Sequence, residues 1–406
     1  MNGRSSNAQR SGGRVHGLVA PGFEAVAEQF RRNLSERGDI GAAVALVVDG
    51  TPVVDLWGGL ANPDRGRPWG PDTLAVIFSG TKGFVAACLL LLIERRAIDL
   101  DAPVCAYWPE FAAAGKERIL VRHVVSHQAG LPGLLTPVTP IEATDDARMA
   151  ELLAEQPAIH APGAGFYYHA LAFGWLCGEL VRRVDGRSIG RFFREEIAAP
   201  LSLDAWIGLP EHHERRVAKL VGDTGFGAQK HDDQARPERD PLAWSIWGNP
   251  GRFSTGELPA NARYWHAAEV PASNGIATAR SIARLYGCLA RGGELDGVRL
   301  ASPQTVGLGS TGLVRDREPY LNRPMAFAVG FQLQTELAPL GPPRDAFGHV
   351  GAGGSVHAAW PERRAGISYL TNTLRDSEDG SDPRSVALLQ AAHDALKARD
   401  QRSSVP

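Results

Sequence analysis

The chain has 406 residues, of which 44% are hydrophobic and 22% are charged, so it can bury a sizeable core. Its 43 basic and 45 acidic residues leave a formal net charge of -2, which provides no electrostatic basis for binding nucleic acid or an anionic membrane. The longest strongly apolar run, residues 84–93, is too short to span a bilayer.

Residues 1–17 are rich in Gly, Ser, Arg and Asn and contain no apolar run that would serve as a signal peptide. We predict that this segment is flexible and that the protein is cytoplasmic. No two of the four cysteines form a C-x-x-C pair, so we expect four reduced, structural thiols. We predict no cofactor, and the sequence does not define an oligomeric state.

The first predicted elements are a helix over residues 22–37 and two strands, 41–48 and 52–57. Asp49-Gly50 separates the strands, and an Asp-Gly pair between β-branched runs is typical of a tight hairpin. A Pro- and Gly-rich loop, 61–73, comes next. Residues 80–96 are apolar on nearly every side, which predicts a helix buried in the core.

Helical patterns continue to about residue 282, interrupted by a long charged stretch, 211–265, that contains Trp244 and Trp247. Such insertions often form lids or pocket walls, so we predict that these tryptophans contact substrate. A surface excursion held down by its own aromatics explains the pattern equally well.

The last third returns to strands, predicted at 325–333, 346–350, 355–360 and 366–371, before a helix at 384–398. Early and late strands with helices between them predict an α/β fold of the α+β type. We expect a mainly antiparallel sheet flanked by helices, built from residues 18–90 and 275–400. Residues 91–274 would form an inserted helical subdomain, and the active site would lie between the two units.

Ser79 and Lys82 stand three residues apart at the start of the predicted buried helix. Positions i and i+3 share a helix face, so the amine can reach the hydroxyl and act as its base. The helix N-terminus also offers free backbone N–H groups for a developing oxyanion. An isolated S-x-x-K arises often by chance, but its position before a buried helix favours catalysis.

Two further segments carry candidate chemistry. Tyr168 stands just before an apolar helical run and is a candidate proton shuttle, although it could simply be a packing aromatic. His349-Val-Gly351-Ala352 ends a predicted strand in a Gly-rich turn, where a backbone N–H could stabilise an oxyanion. An ordinary tight hairpin is the alternative for that turn.

In this order, the three segments resemble the motifs of the serine β-lactamase/penicillin-binding-protein superfamily, and most closely its class C-like esterases, the family VIII carboxylesterases. Ser79-Gly-Thr-Lys82 matches S-x-x-K, Tyr168-His-Ala170 stands in place of Y-x-N, and His349-Val-Gly351 stands in place of K-T-G. The resemblance implies an acyl-enzyme on Ser79, proton transfer by Lys82 and Tyr168, and an oxyanion hole formed by the N–H groups of Ser79 and Ala352.

Two departures from these motifs bear on the substrate. Ala170 replaces the Asn of Y-x-N, and His349 replaces the Lys of K-T-G. Because an unshifted histidine is largely neutral near pH 7, the partner for a substrate carboxylate is weakened. We therefore predict hydrolysis of neutral carboxylic esters, with His349, Gly351, Trp244 and Trp247 binding substrate. Acyl transfer, β-lactam or peptide hydrolysis, and a catalytically silent binding protein or scaffold are the alternatives.

The sequence gives weaker support for other kinds of catalytic or metal site. No G-x-S-x-G is present, which argues against an α/β-hydrolase. His212, His213 and the 231–233 His-Asp-Asp run lack clean metal-ligand spacing, so we predict no metal. Ser126 and His127 are a possible serine nucleophile and histidine base. Adjacent residues rarely place both groups in a productive geometry, so we expect a structural turn there.

Overall fold

The computed structural model describes residues 14–222, 237–250, 258–375 and 381–403. The predicted long insertion, 211–265, therefore falls partly outside the described residues, at 223–236 and 251–257, as do the histidine and aspartates of 231–233 and residues 1–13 of the predicted flexible segment.

Strands occur mainly in the first and last thirds of the chain. They are β1 (Val15–Val19), β2 (Gly41–Val48), β3 (Thr51–Asn62), β4 (Arg67–Pro68), β5 (Ala75–Val76), β6 (Ala205–Trp206), β7 (Val221–Gly222), β8 (Ile276–Ala277), β9 (Glu294–Leu295), β10 (Val298–Arg299), β11 (Val314–Glu318), β12 (Arg323–Phe327), β13 (Gln332–Leu333), β14 (Phe347–Val350), β15 (Val356–Trp360), β16 (Ala365–Thr371) and β17 (Thr373–Leu374).

Helices fill the middle of the chain and flank the strands. They are α1 (Glu24–Ser35), α2 (Thr81–Glu94), α3 (Val121–Val125), α4 (Asp146–Glu155), α5 (Ala172–Asp185), α6 (Ile189–Phe193), α7 (Pro241–Ala243), α8 (Arg263–Ala267), α9 (Ala279–Ala290), α10 (Pro303–Leu308) and α11 (Pro383–Ser403). Across the described ranges, no helix is both long enough and apolar enough to cross a membrane.

The main sheet is antiparallel and joins the two ends of the chain. Its strand order is β1-β3-β2-β16-β15-β14-β13-β12-β11, with β4 added to β3. At its centre β2 pairs with β16, in a register from Ala42 opposite Thr371 to Val48 opposite Ala365. The central pair of strands in the sheet therefore forms only when the first and the last third of the chain come together.

Helices cover both faces of this sheet, and the strand alternation separates the two cores. Val44 and Leu46 of β2 face a cluster that includes α1 and α11, whereas Ala45 and Val47 face a cluster that includes α2 and α9. Because successive side chains of a strand point to opposite faces, a strand buried on both sides reads as a continuous apolar run. This explains why β2 has no polar residue.

The hairpin between β2 and β3 forms as its sequence predicts. Asp49 and Gly50 both have positive φ, 49° and 84°, as a two-residue type I′ turn requires. Gly and Asp tolerate that conformation better than most residues, so the Asp-Gly pair sets the register of the two strands.

Two predicted boundaries need correction. The segment predicted to be flexible, 1–17, is ordered at its end, because Val15, His16 and Gly17 belong to β1 and pair with β3. The strand predicted at 325–333 is two strands, β12 and β13, joined by a turn in which Gly330 has a φ of 72°. A continuous apolar run does not reveal a turn made by one buried glycine.

Candidate active site

Ser79 lies in a tight turn that leads into α2. The N–H groups of Gly80, Thr81 and Lys82 each donate to the carbonyl three residues earlier. Phe78, just before Ser79, has a φ of 45°, a left-handed conformation that is strained for a bulky side chain. The strain persists because the neighbouring backbone is tied down, and such strained residues cluster at functional sites.

The segment before α9 holds that turn in place. The N–H of Ile77 donates to the carbonyl of Gly275 at 2.9 Å, and the N–H of Gly275 donates to the Thr81 hydroxyl at 2.7 Å. Asn274 is fully buried, and its backbone forms an isolated parallel β-bridge with that of Phe78. The segment that precedes α9 therefore contacts the Ser79 turn directly through its backbone.

Lys82 is fully buried on the first turn of α2. Its Nζ donates to the Ser79 hydroxyl at 3.3 Å and to the carbonyls of Ala170 and Ala272 at 2.9 and 3.0 Å. The two carbonyls come from segments far apart in the sequence, so they aim the amine at the serine. When Lys82 is neutral, its two hydrogens satisfy these carbonyls and the Ser79 hydroxyl donates to Nζ, which is the geometry that a lysine base and a serine nucleophile need.

Tyr168 lies beside this pair. The Nζ of Lys82 is 4.8 Å from the centre of the Tyr168 ring, and the tyrosine is 6% exposed. Its ring stacks near those of Trp247 and Phe327, with centroids 6.2 and 5.9 Å apart. The structure thus brings the three predicted motif residues Ser79, Lys82 and Tyr168 together.

Two residues that the sequence did not assign to the site hold the Tyr168 loop. The carbonyl of His127 accepts the Tyr167 N–H at 3.4 Å, and the Nδ1 of His127 accepts the His169 N–H at 3.1 Å. The buried Glu318 accepts the Tyr168 N–H at 3.3 Å. Glu318 stands in a charged edge strand, where no sequence signal distinguishes it from a surface residue.

The Ser126-His127 pair has the geometry of a turn, not of a nucleophile and base. The Ser126 hydroxyl donates to the Arg122 carbonyl at 2.6 Å, and its oxygen lies 2.9 Å from Oε1 of Gln128. His127 has a φ of 65° and directs its ring toward Tyr168, 4.9 Å between centroids.

His349 is a neutral imidazole. Its Nδ1 is 2.7 Å from the carbonyl of Val350, so the ring proton lies on Nδ1. Burial is the main cause that lowers the pKa of His349 to about 3, and Lys82 in its protonated form adds to the shift. The ring centre is 6.2 Å from that of Tyr168. The position of the K-T-G lysine therefore carries no positive charge at neutral pH.

The turn after β14 packs against the Ser79 turn. A Cβ on Gly351 would lie 2.4 Å from the carbonyl oxygen of Ile77 and 2.2 Å from the Ser355 hydroxyl, so only glycine fits there. Ala352 follows on the exposed side of the turn. This approach puts the Ala352 segment next to the segment that carries Ser79.

The two tryptophans predicted to bind substrate differ in position. Among the described residues, the aromatic cluster around Tyr168 includes Trp247 but not Trp244, although both are half-buried in one turn. Asn249 anchors this turn, since its Nδ2 donates to the carbonyls of Leu134 and Thr136 at 2.9 and 2.7 Å. The hydrogen bonds of Asn249 to the 134–136 segment therefore help to hold Trp247 against Tyr168.

The buried histidines predict acid sensitivity. Burial lowers the pKa of His169, His349 and His357 to about 3, whereas an unfolded histidine titrates near 6.5. As pH falls below about 6.5, these histidines bind protons in the unfolded chain but stay neutral in the folded protein. The free energy of unfolding therefore falls. Each such histidine contributes a slope that rises to about 1.4 kcal/mol per pH unit as the unfolded imidazole becomes fully protonated. We expect a steep fall in melting temperature between pH 7 and pH 5.

The matched variants are His357→Gln, at a buried site, and His16→Gln, on the exposed strand β1. Denaturant unfolding at several pH values gives the free energy of unfolding as a function of pH. We expect this free energy to depend less steeply on pH in His357→Gln than in wild type, and equally steeply in His16→Gln. Equal slopes for all three proteins would contradict the assignment of His357 as neutral and buried.

The sheet flanked by helices, with Ser79 and Lys82 at the start of a buried helix, defines a serine hydrolase of the S-x-x-K type. A family model described as Beta-lactamase matches residues 27–391, and the chain belongs to that family. The family predicted from the three sequence motifs is therefore confirmed, and the antiparallel sheet flanked by helices confirms the fold predicted from the order of strands and helices.

Known proteins of similar sequence and structure agree with this assignment. The esterase/β-lactamase LipL of Mycobacterium tuberculosis is 38% identical over 376 residues, which cover 90% of this chain and 84% of that protein. A penicillin-binding protein homologue from Caulobacter crescentus and a family VIII carboxylesterase are solved structures with 36% identity and a TM-score of 0.85. Each match covers 94% of this chain and all of the other.

Proposed function

We propose that the protein hydrolyses neutral carboxylic esters through an acyl-enzyme on Ser79. The observation that carries the proposal is the 3.3 Å hydrogen bond between the Nζ of Lys82 and the Ser79 hydroxyl in a buried setting. The names of two similar proteins, an esterase/β-lactamase and a family VIII carboxylesterase, support the same reaction.

In the proposed acylation step, the Ser79 oxygen attacks the ester carbonyl and its proton passes to the Lys82–Tyr168 pair. The N–H groups of Ser79 and Ala352 stabilise the oxyanion of the tetrahedral intermediate. The intermediate collapses, the alcohol leaves with the proton, and the acyl group stays on Ser79. Water then attacks the acyl-enzyme by the same route and releases the carboxylic acid.

The residues at the two motif replacements, His349 and Ala170, favour a neutral substrate. A β-lactam or a peptide C-terminus brings a carboxylate, which needs a cation or a good hydrogen-bond donor. The neutral His349 supplies no cation, and Ala170 supplies no carboxamide. His349 and Gly351 remain proposed substrate contacts, through hydrogen bonding and close backbone approach respectively.

An apolar wall supports an ester with a modest acyl group. Phe166, Ile246, Met325 and Phe327 pack with Tyr168, and Trp247 packs against them. Apolar walls are typical of sites that bury the uncharged part of a substrate. We propose Trp247 as part of this wall, and Trp244, in the same turn, remains a proposed substrate contact.

We also propose that residues 18–90 and 275–400 form one structural unit and residues 91–274 the other. Support comes from the main-sheet strands, which lie before Pro68 and after Leu313, with α3–α8 between them. A cytoplasmic location is supported by four free cysteines.

The test compares p-nitrophenyl acetate and butyrate with the chromogenic cephalosporin nitrocefin. We expect kcat/KM for the esters to exceed that for nitrocefin by about 100-fold or more, about 2.7 kcal/mol of differential transition-state binding. Comparable turnover of nitrocefin would overturn the preference for neutral esters. Added alcohols that divert the acyl group into a new ester would make the protein an acyltransferase.

A further inference from the structure

Arg384, at the start of α11, lies directly behind the turn that follows β14, and its side chain is fully buried. Its Nη2 donates to the Gly353 carbonyl at 2.8 Å and to Asp382 at 2.6 Å. Its Nη1 donates to Asp39 and to the Thr373 carbonyl, both at 2.8 Å, and its Nε donates to Asp382 at 3.0 Å. All five guanidinium hydrogens are thus directed at oxygen atoms.

The buried cluster of Arg384, Asp39 and Asp382 fills the core less favourably than apolar side chains would. Removing charged groups from water is unfavourable, and a buried ion pair often stabilises a fold no more than apolar side chains would. Burial raises the pKa of Asp39, and Arg384 opposes that shift. The Thr371 hydroxyl also donates to Asp39, at 2.8 Å. What the rigid guanidinium supplies, and an apolar residue would not, is a fixed position for the Gly353 carbonyl.

The turn is shaped to rest on this cluster. Gly353 and Gly354 have φ angles of 85° and 113°, which residues other than glycine rarely adopt. A Cβ on Gly354 would lie 2.3 Å from Oδ2 of Asp382 and 2.5 Å from Nη2 of Arg384. The glycine at this position therefore allows direct contact between the backbone and the ion pair.

Hydrogen bonds connect the guanidinium to the peptide group that carries the Ala352 N–H. Arg384 donates to the carbonyl of Gly353, which also accepts the Arg375 N–H at 3.4 Å. The next N–H, of Gly354, donates to the carbonyl of Gly351 at 3.4 Å. The Gly351 carbonyl and the Ala352 N–H belong to one planar peptide group, so fixing the carbonyl fixes the N–H.

We propose that Arg384 is a positioning residue for the oxyanion hole. Held by Asp39 and Asp382, it fixes the Gly353 carbonyl and so orients the Ala352 N–H toward the acyl oxygen on Ser79. This inference rests on the proposed function, because it takes the Ala352 N–H as an oxyanion donor. A donor stabilises a transition state only when it is already aimed at the developing charge, so a loosened turn slows the chemical step.

The first test uses Arg384→Lys, which keeps the charge but lacks the fork that bonds Gly353, Asp39 and Asp382 together. With active sites counted by fluorophosphonate titration, we expect kcat for p-nitrophenyl butyrate to fall about 10- to 100-fold, less than for complete loss of a donor. KM should change by less than about threefold. A trifluoromethyl ketone, whose serine adduct carries the oxyanion, should lose affinity in parallel with kcat.

Tyr369→Phe is the matched control, because it removes a hydroxyl that donates to Asp39 without touching Gly353. We expect its kcat per active site to stay within about twofold of wild type. A general loosening of the fold would lower the active fraction of both variants and leave kcat per active site unchanged. Equal kcat values for Arg384→Lys and Tyr369→Phe would overturn the proposal.

Hydrogen exchange provides a readout that does not depend on activity. Peptides spanning residues 347–356 should exchange faster in Arg384→Lys than in wild type and Tyr369→Phe. Asp382→Asn, which weakens the same support, replaces Arg384→Lys if that variant does not fold. Unchanged exchange overturns the inference even when esters are hydrolysed. Faster exchange in a protein that hydrolyses no ester refutes the proposed function and leaves the positioning contact standing.

Discussion

Replacing Ser79 by alanine should reduce kcat/KM for p-nitrophenyl butyrate by roughly 10⁴-fold or more and abolish labelling by a fluorophosphonate. The hydroxyl is the only group that the substitution removes, and without it no acyl-enzyme forms. Ser79 is half-buried at the surface of the site, so we expect the melting temperature to change by no more than about 2 °C. Initial rates, intact-protein mass after labelling and thermal unfolding measure the three effects.

Ser126→Ala is the matched control for this experiment. Ser126 is a buried serine next to a histidine, but its hydroxyl is engaged with Arg122 and Gln128. The variant should keep its labelling and most of its activity. If Ser126→Ala lost labelling while Ser79→Ala kept it, the assigned nucleophile would be wrong.

Replacing Lys82 by methionine should lower kcat/KM by about 10³-fold at an unchanged pH. Methionine matches the volume of lysine but cannot accept the Ser79 proton, and it leaves the carbonyls of Ala170 and Ala272 without their donor. The unsatisfied carbonyls should also lower the free energy of unfolding by about 1–3 kcal/mol each. The activity loss must therefore be counted per folded active site.

Lys116 makes it possible to separate the two effects. It is also buried, and its Nζ donates to the carbonyls of Ala113, Ala154 and Gln156 at 2.6, 2.7 and 2.5 Å. Lys116→Met should lose stability on the scale of Lys82→Met and retain normal turnover per active site. If both variants lost the same activity, the effect of Lys82 would be structural and its role as a base would fail.

Local sequence patterns predicted the parts of the fold that depend on local chemistry. Asp49-Gly50 turns as its tolerance of positive φ requires, and the apolar run before it is β2, residue for residue. The all-apolar pattern after Ser79 predicted α2 to within two residues at either end. The S-x-x-K spacing placed the amine by the hydroxyl because i and i+3 share a helix face.

The missed features depend on partners far away in the sequence. The edge strand β11, Val314–Glu318, reads as a charged loop, because an edge strand with one open side needs little apolar content. Glu318 and Arg384 look like surface charges, and only the folded chain reveals the backbone groups that they hold. His349 was expected to be largely neutral, and the depth of its burial strengthens that expectation.

The pairing of β2 with β16 also has a consequence for biosynthesis. Ser79 and Lys82 leave the ribosome well before β14, the Gly351–Gly354 turn and β16 are translated. Strand pairings between distant parts of a chain form late, because a long loop must close first. A growing chain therefore carries Ser79 with no assembled site around it, and we expect this serine to become reactive toward acyl groups only when β14, β15 and β16 have joined the sheet.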